Sequence, residues 1–134
     1  MKKSVIFVVD KNPIHRNLIR YNLESNKCTN VQTFPSGEEC MFRLLKKIRP
    51  AFLITSFFTG QLTGFEFLHS VLEISPATRV IFFDTFEEPA LAAALLKAGA
   101  CDYVEKTRDP DTGIAELLKK VRYLARENVL IDGP

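Results

Sequence analysis

Short apolar runs alternate with helix-forming stretches from one end of this chain to the other, and few folds accommodate that alternation. Residues 4–9 read as a strand covered on both faces. Asn12-Pro13 supplies a cap and a proline at the first helical position. Helix one then runs to about residue 26, with Ile14, Leu18 and Tyr21 on one stripe, flanked by Ile19 and Leu23. Residues 31–34 form a short second strand. Ser36-Gly37-Glu38-Glu39 is a capping box for helix two, whose Met41, Leu44, Leu45 and Ile48 face inward until Pro50 stops it. The apolar run 51–56 is strand three, and helix three follows Gly64 with Phe65, Leu68 and Leu72. Strand four is 79–83, helix four is 87–98 with Gly99 just past its end, and strand five is 101–105. Helix five spans 111 to about 126, with Ile114, Leu118, Val121 and Ala125 inward. Five βα units joined by short loops predict an α/β domain with a doubly wound, parallel five-stranded sheet of order 2-1-3-4-5.

The 134 residues suffice for one domain, and with 46% hydrophobic residues the chain can bury a core. A charged fraction of 25% and a net charge of +2 carry neither a disordered bias nor a polyanion-binding signature. No apolar run approaches the roughly 20 residues of a membrane span. The start, Met1 to Asp10, superficially mimics a signal peptide. Its apolar stretch is shorter than the roughly 7–15 residues of a signal core, so it reads as a strand. Cys28, Cys40 and Cys101 are odd in number and lack metal-ligand spacing, which fits reduced thiols in a cytoplasmic protein. The expected organisation is a domain over 1–126 and a tail, or the start of a linker to an output domain, over 127–134.

In an open parallel sheet, chemistry gathers beyond the carboxyl ends of the central strands. Asp10 closes strand one, Ser56 ends strand three, and Lys106 follows strand five. Together with Val8-Val9-Asp10, Gly64-Phe65-Glu66, Lys97-Ala98-Gly99-Ala100 and Asp102-Tyr103-Val104, these residues make the chain resemble a receiver domain of two-component response regulators, with a flavodoxin-like (βα)5 fold. The resemblance implies a phosphorylation pocket. The family places there an acidic pair for Mg²⁺ after strand one, an acceptor aspartate after strand three, a hydroxyl after strand four and a lysine after strand five. Asp10 and Lys106 match. Lys11 stands for the second acid, Ser56 for the acceptor and Asp84 for the hydroxyl; Gly60 and Thr107 stand where prolines are usual.

Each departure has a physical consequence. Mg²⁺ wants several oxygen ligands, including one or two carboxylates. Two ligands are lost here and a positive charge is gained, so neither metal binding nor aspartyl phosphorylation is expected at this position. Ser56 has no obvious base beside it, and a hydroxyl hydrogen-bonded locally is the simpler reading. Asp84 either pairs with Lys106, and with Lys11, in a self-neutralised site, or caps its own loop toward water, and Lys106 is expected within salt-bridge distance of Asp84 or Asp10. With proline absent, the Lys106–Thr107 peptide is expected to be trans.

Outside the pocket, Phe57-Phe58 either plugs the vacated metal site or meets a partner. Helix four carries no charge between Glu88 and Lys97. With Leu91, Leu95 and Ala98 assigned to the core, Ala92, Ala93 and Leu96 are left over. The resemblance makes the face of helix four, strand five and helix five an output or dimerisation surface, with Tyr103 at its aromatic position and Lys119, Arg122 and Tyr123 as rim. Scattered surface alanines on a monomer are the plain alternative. Lys119, Lys120, Arg122 and Arg126 read as a solvated helix face rather than a DNA contact.

These readings converge on an atypical receiver that acts by protein–protein contact, with no catalytic residue, metal, cofactor, direct nucleic acid or membrane, and a possible homodimer. Two rivals are a phosphorelay receiver using Asp10 or Asp84 as a displaced acceptor, and a flavodoxin-like cofactor binder or enzyme. The second is disfavoured because Asp10-Lys11-Asn12-Pro13 is no phosphate cradle.

Overall fold

The computed structural model describes residues 4–28, 30–85 and 88–132. The elements are β1 (Ile6–Val9), α1 (Pro13–Ser25), β2 (Val31–Phe34), α2 (Gly37–Leu44) and β3 (Phe52–Thr55), then α3 (Gly64–Ile74), β4 (Arg79–Asp84), α4 (Pro89–Lys97), β5 (Asp102–Glu105) and α5 (Pro110–Asp132). All four strand pairings are parallel and the order is β2-β1-β3-β4-β5. The expected α/β doubly wound sheet is therefore the observed one. Glu87, read as the start of the fourth helix, and Met1, Lys2, Lys3, Gly133 and Pro134 lie outside the described residues.

The central strands are apolar on both faces because helices cover both. Val8, Ile54, Ile81 and Phe83 pack against Ile19 and Leu23 of α1 and Ile114, Leu117 and Val121 of α5. Phe7, Leu53, Val80 and Phe82 pack against Leu44 of α2, Phe67, Leu68 and Val71 of α3, and Leu95 of α4.

The helix termini follow from local chemistry. Asn12 Oδ1 accepts from the Ile14 and His15 N–H groups, and Ser36 Oγ accepts from Glu39 N–H. The complete capping box belongs to α3, where the Thr63 hydroxyl and the Glu66 carboxylate each accept the other's backbone N–H. Those bonds hold the Glu66 carboxyl below its ordinary range. Gly99 ends α4 at φ +118, a backbone state that Cβ-bearing residues rarely adopt. Gly64 answers a different need. A Cβ there would stand 2.5 Å from Phe57 Cδ1, so α3 can begin only where no side chain intrudes.

Several inward faces differ from the periodicity reading. In α1, Ile14 and Tyr21 are exposed while Ile19 and Leu23 are buried, because two neighbouring apolar stripes compete and the capped entry of the helix selects the second. In α2, Leu45 is exposed, since the helix ends at Leu44 and Lys47 turns the chain at φ +69. In α3 the inward aromatic is Phe67, and Phe65 lies at the surface. In α4, Ala92 is buried beside Leu95 and Ala98 is exposed, so Ala92 belongs to the core and leaves the surface patch. Its small side chain lets α4 lie close to the sheet. In α5, Leu117 joins the buried stripe, Ala125 is exposed, and the helix continues past Arg126 to Asp132.

Candidate functional site

The carboxyl ends of β1, β3, β4 and β5 converge on one cavity, which contains all five sequence-selected pocket residues: Asp10, Lys11, Ser56, Asp84 and Lys106. Parallel register brings them level, with Val9 opposite Thr55 and Asp84 opposite Glu105.

Lys106 Nζ donates to Asp10 Oδ2 at 2.8 Å, and both side chains are largely withdrawn from solvent, at 16% and 5% exposure. The same ammonium donates to His15 Nδ1 at 3.1 Å and lies 5.5 Å above the Phe83 ring. The other oxygen of Asp10 accepts from Asn12 N–H at 2.9 Å, and the Asp10 carbonyl accepts from the Arg16 guanidinium at 2.8 Å. A buried carboxylate is tolerable only when paired and hydrogen-bonded, and Asp10 is both.

Of the two acids expected as partners of Lys106, Asp10 is the one it meets, and Asp84 is not ion-paired to it. Its Oδ2 accepts from the Phe57 N–H at 2.7 Å and its Oδ1 from the Thr85 N–H at 2.7 Å. Lys106 is tied to Asp84 only through the backbone, where its N–H donates to the Asp84 carbonyl. The carboxylate is held by two amides at the end of the neighbouring strand and of its own, so Lys106 turns to the more deeply buried acid. Lys11 is exposed and forms no ion pair among the described residues. Ser56 is buried, and its hydroxyl points to the Phe58 carbonyl at 3.5 Å, the outer limit of a hydrogen bond.

Neither phenylalanine fills the space between the acids. Phe57 turns to the opposite face of the sheet and packs edge-on against Phe65, with ring centroids 5.7 Å apart. Phe58 stands at the cavity mouth, 61% exposed. No cis peptide occurs among the described residues, so Lys106–Thr107 is trans. Thr107 Oγ1 donates to the Asp109 carbonyl, and the Asp109 carboxylate accepts from Asp111 N–H and Thr112 Oγ1, which caps α5.

Sequence reasoning missed His15, which lines the cavity, Arg16, which holds the Asp10 carbonyl, and Phe83, which also lines the cavity. A signal for the first two was present: both lie in the first turns of a helix whose cap residue adjoins Asp10, so they return toward the strand ends. A divalent cation fits the site poorly. Both oxygens of each pocket carboxylate already accept N–H donors, and the ammonium of Lys106, bonded to Asp10, adds a positive charge that disfavours a second cation. Among the described residues no group of three His, Cys, Asp or Glu side chains is arranged to hold a metal ion.

The proposed interface residues flank the β5 edge of the sheet. Leu96 is 40% exposed, Tyr103 36% and Tyr123 67%; Ala93, Lys119 and Arg122 are exposed beside them. Lys120 binds Asp102 at 2.7 Å and Lys119 lies 3.6 Å from Glu116, so part of the basic run is committed to its own surroundings. Among the described residues no helix is long and apolar enough to cross a membrane.

Fold and pocket together define a doubly wound α/β domain with a charged site at the sheet's carboxyl edge. The family model for the response regulator receiver domain matches residues 6–120, and the chain belongs to that family. It is 28% identical over 130 residues to the transcriptional activator protein ExaE of Pseudomonas putida, covering 96% of this chain and 58% of that one. A second relative, protein-glutamate methylesterase/protein-glutamine glutaminase 3 of Geobacter sulfurreducens, is 28% identical over 122 residues, covering 91% and 32%. The chain thus spans about half and a third of these curated relatives. Among solved structures, a LuxR-family two-component response regulator from Aurantimonas sp. SI85-9A1 superposes with a TM-score of 0.78 at 25% identity, covering 92% of this chain and 85% of that one. The response regulator domain of Thermotoga maritima CheB gives 0.78 at 24%, covering 91% and 96%.

Proposed function

We propose that this receiver domain of two-component signal transduction is an atypical member that works by protein–protein contact without phosphorylation of its pocket. The observation that supports this most is the hydroxyl of Ser56 at the end of β3, the acceptor position by family resemblance, beside an Asp10 whose carboxylate is held by Lys106 at 2.8 Å. A serine hydroxyl is a poor nucleophile without a base. The nearest acids, Asp10 and Asp84, are engaged by N–H donors. The same engagement argues against either acid serving as a displaced acceptor. With the pocket silent as a switch, the useful feature is a surface already competent to bind. The β5 flank, carrying Leu96, Tyr103 and Tyr123, is the proposed contact for a signalling protein, an output domain or a second copy, in the cytoplasm.

Incubation with acetyl phosphate and Mg²⁺ followed by intact-mass measurement tests the reading. The expected mass is unchanged, and a gain of one phosphate on Asp10, Ser56 or Asp84 overturns it.

A further inference from the structure

The cavity at the strand ends is lined in a way that phosphoryl chemistry does not require. Its volume is about 370 Å³, inside the range of roughly 300–1,000 Å³ typical of small-molecule sites. Leu18 and Ile19 of α1, Phe83 of β4, and Pro110 and Ile114 of α5 line its depth, and Phe58 is exposed at its lip. Water held against these hydrocarbon walls is unfavourable, and an apolar body that displaces it is favoured.

The polar groups select the head of such a molecule. The oxygens of Asp10 and Asp84 already accept N–H donors. An ammonium has three donors, and Lys106 directs two of them to Asp10 and His15, leaving one. Lys11 adds an exposed ammonium at the rim, and the Ser56 hydroxyl makes only a 3.5 Å bond. Every carboxylate oxygen is already engaged by an N–H while the lysines keep donors to spare, so the pocket suits an anion. Asp10, Asp84, Lys11 and Lys106 sum to zero charge, so a dianion gains little net attraction over a monoanion while costing more to desolvate.

We infer that the pocket binds a small amphiphilic carboxylate. Its aromatic or aliphatic body lies among Leu18, Ile19, Phe83 and Ile114, under Phe58, and its carboxylate meets Lys106, Lys11 and Ser56. The inference rests on the phosphorylation-independent reading, because it gives the same pocket a different occupant.

Amide-resolved NMR titration of the full chain with phenylbutyrate, phenylbutyramide and inorganic phosphate decides the matter. Phenylbutyrate is expected to give saturable shifts at residues 12–19, 56–58 and 107–114. The amide and phosphate should each bind at least about tenfold more weakly. Leu18→Trp, filling the cavity from a half-buried position, should weaken phenylbutyrate binding about tenfold or more, and Lys11→Ala, altering only an exposed cation, several-fold. Absence of saturable shifts in the folded wild type overturns the proposal, and so does equal affinity for the amide or indifference to Leu18→Trp. If Leu18→Trp fails to fold, Lys11→Ala and the amide carry the decision. A phosphate gain by intact mass sinks the phosphorylation-independent reading whatever phenylbutyrate does. Unchanged mass without phenylbutyrate binding sinks the ligand alone.

Discussion

The carboxylate of Asp84 accepts a hydrogen bond from the backbone N–H of Phe57 at 2.7 Å, joining the ends of β4 and β3 across 27 residues of chain. The bond fixes where the β3–α3 loop leaves the sheet. It sends Phe57 to one face and leaves Phe58 over the cavity on the other.

Asp84→Ala should therefore destabilise the fold by roughly 1–3 kcal/mol, because it strands the Phe57 N–H. Asp84→Asn keeps an acceptor and should cost less. Urea denaturation of the three proteins checks the order, and a midpoint unmoved in Asp84→Ala removes the latch from the account.

Lys106 and Asp10 form the buried ion pair of the pocket. Lys106→Met leaves a carboxylate at 5% exposure with only the Asn12 N–H, and breaking such a pair costs about 3–5 kcal/mol. Adding Asp10→Asn should restore part of that loss, so the double variant should be more stable than the sum of the singles requires. Strict additivity in denaturant midpoints would show that the two side chains are not coupled.

The fold was legible because its signals are local. Apolar runs of strand length, Asn12-Pro13, Ser36 and Gly99 each mark an element from a few neighbouring residues. Five alternating units then leave little choice of topology. The convergence of Asp10, Lys11, Ser56, Asp84 and Lys106 was legible through the family resemblance, which sets these positions at strand ends that lie together in a parallel sheet. Their partners were not. Whether Lys106 turns to Asp10 or Asp84 depends on which acid keeps an oxygen without a backbone amide, and the Phe57–Asp84 bond has no local sequence mark. Helix faces failed where two apolar stripes adjoin, as with Ile14 against Ile19, or where a small residue meets the sheet, as with Ala92.

Cys40 is buried, and burial pushes its thiol up to about 12. Because the thiolate is the reactive form, Cys40 should resist an aromatic disulfide reagent at about pH 8 in the native protein. Burial also raises the Cys28 thiol, against the lowering influence of Arg122, so Cys28 should react slowly. In denaturant all three cysteines should react at one rate. Equal rates for all three in the folded state would contradict the packing of α2 on the sheet.

Replacing Ser56 with aspartate restores a carboxylate at the end of β3 but leaves the Lys11 charge beside it. Ser56→Asp alone should show no phosphate by intact mass after acetyl phosphate and Mg²⁺. Ser56→Asp with Lys11→Asp, which supplies two more carboxylates for the metal, should gain one phosphate. Phosphorylation of the single variant would show that Lys11 does not govern the site.

The β5 flank should mediate self-association or partner docking. Ala92 is buried, so the argument rests on Leu96, Tyr103 and Tyr123, which are 40%, 36% and 67% exposed on α4, β5 and α5. Leucine and two tyrosines on consecutive elements make an apolar centre, and Lys119 and Arg122 supply charge at its rim. A two-fold dimer would present the same patch from both subunits and cover it without another protein. Leu96→Glu places a charge in that centre and should weaken association by several kcal/mol if the patch is covered there, whereas Lys97→Glu, one residue away on the exposed side, should change it little. Sedimentation of the wild type and both variants at matched concentrations reads this directly. A wild type that is monomeric throughout eliminates the second copy as occupant, and the surface is then left to a different protein chain.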